Sequence, residues 1–289
     1  MRPDIRTAVK EILADRERGA RQLALAALEA LRPVAGACTG EEFRECARAL
    51  ALARPMMATV ENAIAAAWGR YLETGDAAGA VAETIELIEM APDGMEMAAS
   101  KVIPAETIMT YSYSSTVIEL LSRLRPRRVI VSETRPFNEG LRVARQLVAA
   151  GVSATMVTEA QMALFVQEAD AVVVGADTIL PDGDFINRIG TRLLALAAKD
   201  AEVPFYAASE TMKVAAPSEP LPFAPEEGKA SEVCGEKWLE VRNVYYELTP
   251  ARLVTSYLTE QGVLEPGEVQ RYAQEADRRW QALMNGSEG

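Results

Sequence analysis

The spacing of apolar residues changes near Pro104, and this change constrains the fold of the chain more than any other feature. Before Pro104, a stretch rich in Ala, Leu, Glu and Arg repeats apolar residues at helical spacing, as Ile5, Val9 and Ile12 do. After Pro104, short β-rich runs alternate with helical stretches. We therefore expect an all-helical amino-terminal domain over residues 1–104 and an open, doubly wound α/β sheet domain over residues 105–289.

The second domain is predicted to contain five strands and four helices. The strands are expected at 107–112, 128–132, 153–157, 171–174 and 203–207, and the helices near 117–124, 139–149, 160–167 and 187–199. The run from Val172 to Val174 is apolar on both faces, as a buried parallel strand requires. In the first domain, Thr39 with Glu42 forms the capping-box pattern that starts a helix.

The composition excludes several classes of function. There is no histidine, which removes Ser-His-Asp and Cys-His catalysis and His-ligated zinc. The 42 acidic and 30 basic residues give a net charge of −12, which disfavours binding to nucleic acid or to an acidic membrane. The three cysteines include no CxxC pair, so we expect a reducing, cytoplasmic environment, and we find no export signal.

Ligands of open α/β sheets bind at the carboxyl ends of the strands, so the residues that follow each strand are the candidates for a site. These candidates are the segments 111–115, 133–135, 175–177 and 209–213. They supply Arg135, Lys213, the carboxylate of Asp177 and several hydroxyl groups. Such a set suits a phosphorylated, hydroxylated small molecule, because Arg and helix amino termini bind phosphate and a carboxylate can move protons.

Simpler interpretations exist for the same residues. Asp177 could cap the following turn, and Arg135 could pair with Glu133 or Glu139 on the surface. The serines at 112, 114 and 115 are ordinary amino-terminal caps for the next helix, a role compatible with anion binding. The arginines at 123, 125, 127 and 128 indicate a solvated helix end. Neither a GxGxxG motif after a strand nor a P-loop is present.

An ordered block of motifs resembles the translation initiation factor 2B alpha/beta/delta subunit family. The block is Gly175-Ala176-Asp177, then Asp182-Gly183-Asp184-Phe185-Ile186-Asn187-Arg188-Ile189-Gly190-Thr191, then Pro204 to Lys213. Supporting matches are Arg18-Gly19-Ala20, Arg54-Pro55, Glu133-Thr134-Arg135-Pro136 with Asn138-Glu139-Gly140, and Leu248-Thr249-Pro250 with Gly262-Val263-Leu264. The resemblance implies a helical amino-terminal domain followed by a Rossmann-like domain.

That family also holds two isomerases, which act on 5-methylthioribose-1-phosphate and on ribose-1,5-bisphosphate. The resemblance implies conversion of an aldose-1-phosphate to a ketose phosphate, with a Cys and an Asp beside the reacting carbons. Asp177 stands at the Asp position, whereas Ser112 occupies the Cys position. A serine hydroxyl needs a strong neighbouring base, so Asp177 alone would move the proton and its pKa would have to be raised by burial.

The resemblance also implies a set of substrate ligands. They are Arg18, Gly19, Arg54, Ser114, Arg135, Asn187, Arg188 and Lys213, with Arg188 in place of the family's Lys. No metal and no cofactor is expected, and the implied assembly is a homodimer or a ring of dimers.

Three functions stay open from the sequence. The first is a sugar-phosphate isomerase that uses Asp177 and Ser112. The second is a non-catalytic regulatory subunit that binds a nucleotide or sugar phosphate, because the thiol is missing at Ser112. The third is an assembly role, in which apolar residues of the segment 247–264 form a dimer interface.

Overall fold

The computed structural model describes residues 2–15, 18–36, 38–54, 57–104, 106–217 and 227–285. Two compact units are present. The helical unit comprises Met1–Ala91, Thr211–Leu221 and Gln270–Gly289, and the α/β unit comprises Pro92–Glu210 and Pro222–Val269. The sequence predicts a single cut after residue 104, whereas the helical unit also takes in two segments from beyond that cut.

The helical unit is built on a core of aliphatic and aromatic side chains. Its helices are α1 (Pro3–Ala14), α2 (Ala20–Ala35), α3 (Gly40–Ala51), α4 (Ala58–Thr74) and the first part of α5 (Ala77–Ala99). Helix α3 begins at the expected capping box, in which Thr39 Oγ1 accepts from the Glu42 N–H at 3.3 Å. Phe43 is fully buried, and the centroid of its ring lies 5.9 Å from the ring centroid of Trp68 and 5.3 Å from that of Tyr71. The last helix closes this core, because Trp68 Nε1 donates to the Ala282 carbonyl at 3.1 Å.

The α/β unit contains a seven-stranded sheet with helices between its strands. The chain supplies β1 (Thr107–Thr110), α6 (Ser115–Leu124), β2 (Arg128–Ser132), α7 (Glu139–Ala149), β3 (Ser153–Val157), α8 (Met162–Phe165), β4 (Ala171–Gly175), β5 (Thr178–Ile179), β6 (Phe185–Arg188), α9 (Thr191–Asp200), β7 (Phe205–Ala208), β8 (Tyr246–Thr249), β9 (Ser256–Thr259), β10 (Gly262–Leu264) and α10 (Val269–Asn285), which continues into the helical unit. The main sheet has the order β10-β9-β7-β4-β1-β2-β3, and only β10 is antiparallel. The predicted fold class is confirmed.

The strand order reverses between β1 and β4, which makes this pair the topological switch point of the sheet. Crevices at the carboxyl ends of strands form at such points and bind the ligands of open α/β sheets. The two chain segments approach closely there, since a Cβ added to Gly175 would lie 2.6 Å from the hydroxyl oxygen of Ser114. The glycine therefore permits the contact between the end of β4 and the start of α6.

Two predicted helices differ from the structure. Asn187 and Arg188, expected in a helix, lie in β6 and pair with Glu247 and Tyr246 of β8 in a second, antiparallel sheet of order β5-β6-β8. Helix α9 starts only at Thr191. The helix expected over 160–167 is a single α-helical turn between two 3₁₀ turns.

The segment 247–264, expected to form a dimer interface, lies in β8, a 3₁₀ turn, β9 and β10. The side chains of Tyr257 and Leu258 are fully buried, and Leu253 and Val254 are nearly so. The apolar residues expected at a dimer interface therefore belong to the interior of this chain. No helix among the described residues is both long enough and apolar enough to cross a membrane.

Candidate functional site

Ser112 occupies an unusual backbone position just beyond the end of β1. Its φ is 60°, in the left-handed region, and its side chain is 4% exposed. The Ser112 N–H donates to Thr134 Oγ1 at 3.2 Å, and Thr134, just beyond β2, also has a φ of 60°. Left-handed backbone is costly for residues other than glycine and recurs at functional sites. The ends of these neighbouring strands therefore hold the backbone at Ser112 in a strained conformation.

Ser114 caps helix α6 at the switch point. Its hydroxyl accepts from the Val117 N–H at 3.3 Å, so the capping interpretation is confirmed for this serine. In the first turn of the same helix, Thr116 Oγ1 donates to the carboxylate of Glu210 at 3.1 Å. Glu210 is only 4% exposed, and its charge offsets part of the positive potential at the amino terminus of α6.

Asp177 lies two residues beyond β4, across the switch point from Ser112. Its N–H donates to the Ile186 carbonyl at 2.9 Å, which ties this turn to β6. The residue is exposed, so the burial that the sequence argument required for a raised pKa is not present in this structure. Desolvation of the Asp177 carboxylate would therefore have to come from a bound ligand.

The guanidinium of Arg188 is held by one carboxylate and three aromatic rings. Its Nη2 atom lies 2.7 Å from Glu139 Oε1, and each of these two side chains is 18% exposed. The Arg188 Cζ atom lies 5.8 Å from the ring centroid of Phe137, 5.9 Å from that of Tyr245 and 4.9 Å from that of Tyr246. These contacts fix the plane of the guanidinium by a salt bridge and by cation–π attraction.

The charges around Arg188 are mostly negative. Burial lowers the pKa of Arg188, but the nearby groups of Glu139, Tyr246 and Asp177 outweigh that effect and raise the pKa above its ordinary value. The other carboxylate oxygen of Glu139 is buried and has no hydrogen-bond partner among the described residues. Arg188 is thus a permanent cation that is already partly neutralised by its own neighbours.

The end of strand β6, which carries Asn187 and Arg188, and the start of helix α9 are held by several hydrogen bonds. The Asn187 side chain is 5% exposed and donates to Thr191 Oγ1 at 3.0 Å. Glu247 Oε1 accepts from the Gly190 N–H at 2.7 Å and from the Arg192 N–H at 2.9 Å, which caps helix α9. Sequence reasoning does not predict the contact of Arg188 with Glu139 or that of Gly190 with Glu247, because each joins residues far apart in the chain.

Arg135 is exposed and contacts mainly backbone. Its guanidinium donates to the Pro136 carbonyl at 3.2 Å and to the Val233 carbonyl at 3.5 Å, while Glu139, one of its two expected partners, pairs with Arg188. The other expected partner, Glu133, has a raised pKa, because partial burial and the adjacent Glu159 carboxylate outweigh the charge of Arg135. No three Cys, Asp or Glu side chains of the described residues are grouped so that they could hold a metal ion.

Four of the expected ligands lie in the helical unit. Arg18 is exposed and pairs with Asp15 at 2.6 Å, and Gly19 is the amino-terminal cap of α2. Arg54 donates to the Ile12 carbonyl at 3.1 Å and to the Asp15 carbonyl, so it closes the carboxyl end of α1. Their role as ligands stays a prediction.

The fourth, Lys213, is 8% exposed and sits in a 3₁₀ turn. The Asn62 side chain fixes this turn, because its Nδ2 atom donates to the carbonyls of Met212 and Val214, both at 2.8 Å. Lys213 also stays a predicted ligand.

Comparisons with known proteins agree with the fold. The model of the initiation factor 2 subunit family matches residues 16–266. A putative translation initiation factor eIF-2B subunit 2-like protein of Pyrococcus horikoshii is 38% identical over 170 residues, so the match spans 56% of this chain and 58% of the relative. The ribose 1,5-bisphosphate isomerase of Archaeoglobus fulgidus is 32% identical over 291 residues, with 91% of this chain and 90% of the isomerase covered.

The crystal structure of the translation initiation factor eIF-2B of Pyrococcus horikoshii is similar to the whole chain. The TM-score is 0.73 at 28% sequence identity, and the match covers 93% of this chain and 99% of that one. A family match over most of the chain, together with a shared fold, settles the relationship. The chain belongs to the initiation factor 2 subunit family.

Proposed function

We propose that this chain binds a phosphorylated sugar at the carboxyl ends of β1 and β4 and interconverts its aldose and ketose forms. One observation carries the proposal: a carboxylate, Asp177, and a hydroxyl, Ser112, stand on the two sides of the switch point. The name of the ribose 1,5-bisphosphate isomerase, which aligns over most of this chain, supports a sugar phosphate as the ligand. The same name supports isomerisation as the reaction.

In the proposed reaction, the bond between C1 and the ring oxygen of the aldose breaks, Asp177 moves the proton of C2 to C1, and the proton of the C2 hydroxyl passes to the ring oxygen. The product carries a ketone at C2 and a free hydroxyl at the former ring oxygen. A sugar bound over Asp177 would displace water from the carboxylate and raise its pKa toward the range useful for a general base. Ser112 would donate a hydrogen bond to a sugar oxygen, because a chain without histidine has no imidazole to deprotonate its hydroxyl. Arg135, Asn187 and Arg188 would orient the ligand's oxygens through charge and hydrogen bonding.

A second candidate function is a binding subunit without turnover. The observation that favours it is Ser112 itself, because a chain without histidine offers no imidazole to activate a serine hydroxyl. The similarity to proteins named eIF-2B supports assembly with further chains, as a homodimer or a ring of dimers. We place either form in a reducing cytoplasm, since Cys38, Cys46 and Cys234 are all free thiols.

The experiment that tests the proposal is proton and phosphorus NMR of the protein in D₂O. The panel contains ribose-1,5-bisphosphate, methylthioribose-1-phosphate, ribose-1-phosphate and AMP. New ketose resonances identify the isomerase, whereas ligand broadening without a new species identifies the binding subunit. A protein that leaves every compound unchanged and unbroadened contradicts both functions.

Two substitutions assign the chemistry. Asp177→Asn is expected to slow conversion by about 100-fold or more, because it removes the only proposed general base. Asp200→Asn is the matched control, since Asp200 is an exposed carboxylate at the end of α9. Equal turnover in wild type and Asp177→Asn would show that the mechanism is wrong. Ser112→Cys restores the thiol that the family resemblance implies and is expected to raise the rate.

A further inference from the structure

Trp238 is the most exposed large apolar side chain of the described residues. It is 80% exposed, and Val233 at 45% and Leu239 at 47% lie in the same segment, 227–245. The indole N–H donates to Glu236 at 2.9 Å, so its polar atom is satisfied while both faces of the ring meet solvent. An exposed apolar cluster of this kind is typical of a protein interaction surface.

The segment that carries Trp238 is closed at its base. The Gly228 N–H donates to the Asn243 carbonyl at 2.7 Å. Glu232 accepts from the Asn243 side chain at 2.8 Å and from the Tyr245 hydroxyl at 2.6 Å. Because hydrogen bonds hold the two ends of this loop together, the loop would lose little conformational entropy when its tip binds a partner.

The α/β unit also contains an apolar cavity of about 150 Å³. It is lined by Ser100, Ile103, Pro104, Ile108, Leu121, Leu124 and Pro126. These residues surround the amino end of β1 and the carboxyl end of α6. Cavities of about this volume with aliphatic walls admit a benzene ring, so the six-membered ring of an indole is of suitable size.

The charges beside the two features are complementary. Lys101 and Arg125 flank the cavity, are exposed and form no ion pair among the described residues. Glu236 and Glu240 flank Trp238, and Lys237 offsets only one of these two negative charges. The two cations beside the apolar cavity therefore complement the net negative charge beside the apolar ring.

The cavity and the tryptophan lie at opposite edges of the main sheet. The Trp238 segment is attached at the carboxyl edge, where Arg135 contacts the Val233 carbonyl and Tyr245 packs on Phe137 at 5.4 Å between centroids. The cavity is at the amino edge, beside the start of β1. Within one copy the two features cannot meet, because the strands separate them.

We propose that the indole of Trp238 inserts into this cavity in a second copy of the chain. The contact joins two different surfaces, so a pair of copies keeps one free tryptophan, on one copy, and one free cavity, on the other. Contacts of this type build a ring or an open chain of copies. The proposal does not depend on the isomerase chemistry, because none of the cavity residues belongs to the proposed site.

Sedimentation equilibrium over a range of protein concentrations tests the proposal. Trp238→Ala is expected to weaken assembly by about 30-fold, the effect of losing a central aromatic anchor. Leu164→Ala is the control, since Leu164 is 63% exposed elsewhere on the unit and should leave assembly unchanged. Equal masses for wild type and Trp238→Ala at every concentration would overturn the proposal, whatever other interface the copies share.

A mixing experiment tests that the contact joins different surfaces. Ser100→Arg places a long charged side chain at the cavity, so this variant and Trp238→Ala should each fail to form the contact alone. When the two variants are mixed, they should form one contact per pair, because Ser100→Arg supplies the tryptophan and Trp238→Ala supplies the cavity. The expected product contains equal amounts of both variants, and a mixture with no gain in mass contradicts the proposal.

Fluorescence provides a readout that does not require Ser100→Arg to fold. In the wild type, iodide quenching of tryptophan emission should fall as protein concentration rises, because the indole of Trp238 becomes covered. Trp238→Ala should show no such dependence. Quenching of the wild type that is constant over the assembly range would count against burial of this ring.

Discussion

The core of the helical unit and the carboxyl edge of the main sheet differ in the kind of groups that they bury. In the core, Leu23, Leu28 and Phe43 are fully buried against one another. At the sheet edge, Ser112 and Thr134 hold left-handed backbone. There too, the second oxygen of Glu139 and the hydroxyl of Ser132 are buried without a hydrogen-bond partner among the described residues.

The difference indicates what each region contributes. Close packing of apolar side chains stabilises the fold, whereas strained backbone and unpaired buried oxygens cost stability. A protein retains such costs where a ligand or a reaction makes use of them. We therefore expect substitutions in the core to change stability most and substitutions at the sheet edge to change function most.

The largest effect on stability is expected for Phe43→Ala in the helical core. Removal of the ring leaves a cavity beside Trp68 and Tyr71 and should lower the free energy of unfolding by about 3–5 kcal/mol. Urea denaturation followed by circular dichroism measures this loss. Leu52→Ala, at a 50% exposed position just after the same helix, should change stability by less than about 0.5 kcal/mol. If Phe43→Ala lowers the free energy of unfolding by less than about 1 kcal/mol, the helical core is not the region that determines stability.

A smaller but substantial loss is expected for Gly140→Ala at the sheet edge. A Cβ at this position would overlap the carbonyl oxygen of Ser132, which is backbone and cannot move aside easily. Overpacking of this kind costs about 1–3 kcal/mol. Thermal unfolding of the variant should show this cost, while Gly267→Ala, where no atom lies within 4 Å, should not. Similar melting temperatures for the two variants would contradict the close approach.

Ser112→Gly should separate stability from function. Glycine adopts a φ of 60° without strain, and this gain of about 1–2 kcal/mol exceeds its entropic cost of about 0.5–1 kcal/mol. We expect stability to stay equal or to rise, while ligand binding measured by calorimetry weakens. Ser122→Gly, inside α6, is the control and should lose about 0.5–1 kcal/mol. If Ser112→Gly loses more stability than Ser122→Gly does, the backbone at the end of β1 is not strained.

The smallest effect concerns pH and the carboxyl pair beside the site. The pKa of Glu133 is raised by partial burial and by Glu159, so the folded protein binds this proton more tightly than the unfolded chain does. Its contribution to stability is therefore present at low pH and is lost as the pH rises through the raised pKa. As the pH rises through the pKa of Glu133, the stability of Glu133→Gln should increase relative to that of the wild type. Urea denaturation from pH 4 to pH 8 measures the difference, and the exposed Glu86→Gln provides the control.

Parallel stability curves for the wild type and Glu133→Gln across this pH range would contradict the carboxyl interaction. Curves that diverge for Glu86→Gln as well would assign the effect to overall charge instead. The two variants can be compared directly, because both substitutions remove one carboxylate and keep the size of the side chain.

The parts of the fold that sequence predicts are those set by local pattern. Strands β2 and β3 and helix α7 have the expected bounds, because continuous apolar runs and helical spacing define them without help from distant residues. Local pattern places Asn187 and Arg188, the last two residues of β6, in a helix, because their pairing with β8 depends on residues more than fifty positions further along the chain. Tertiary pairing of this kind overrides local propensity.

The same distinction applies to the candidate site. Ser112 and Asp177 could be placed from sequence, because parallel strands bring their carboxyl ends to one edge. The salt bridge of Arg188 with Glu139 could not, since the two residues are 49 positions apart and no periodicity links them. The solvent exposure of Asp177 could not be predicted either, because the positions of strands in a sequence do not indicate whether the turn after a strand is buried.

The helical unit is assembled from three separate stretches of the chain, and this has a consequence for folding during synthesis. Leu283 is fully buried in its core, and Arg44 donates to the carbonyls of Leu283 and Met284, both at 2.9 Å. As the chain leaves the ribosome, its first five helices emerge long before α10 can join them. Until α10 joins them, these helices leave part of their apolar faces exposed to water, so the core of the helical unit is completed only when synthesis is nearly finished.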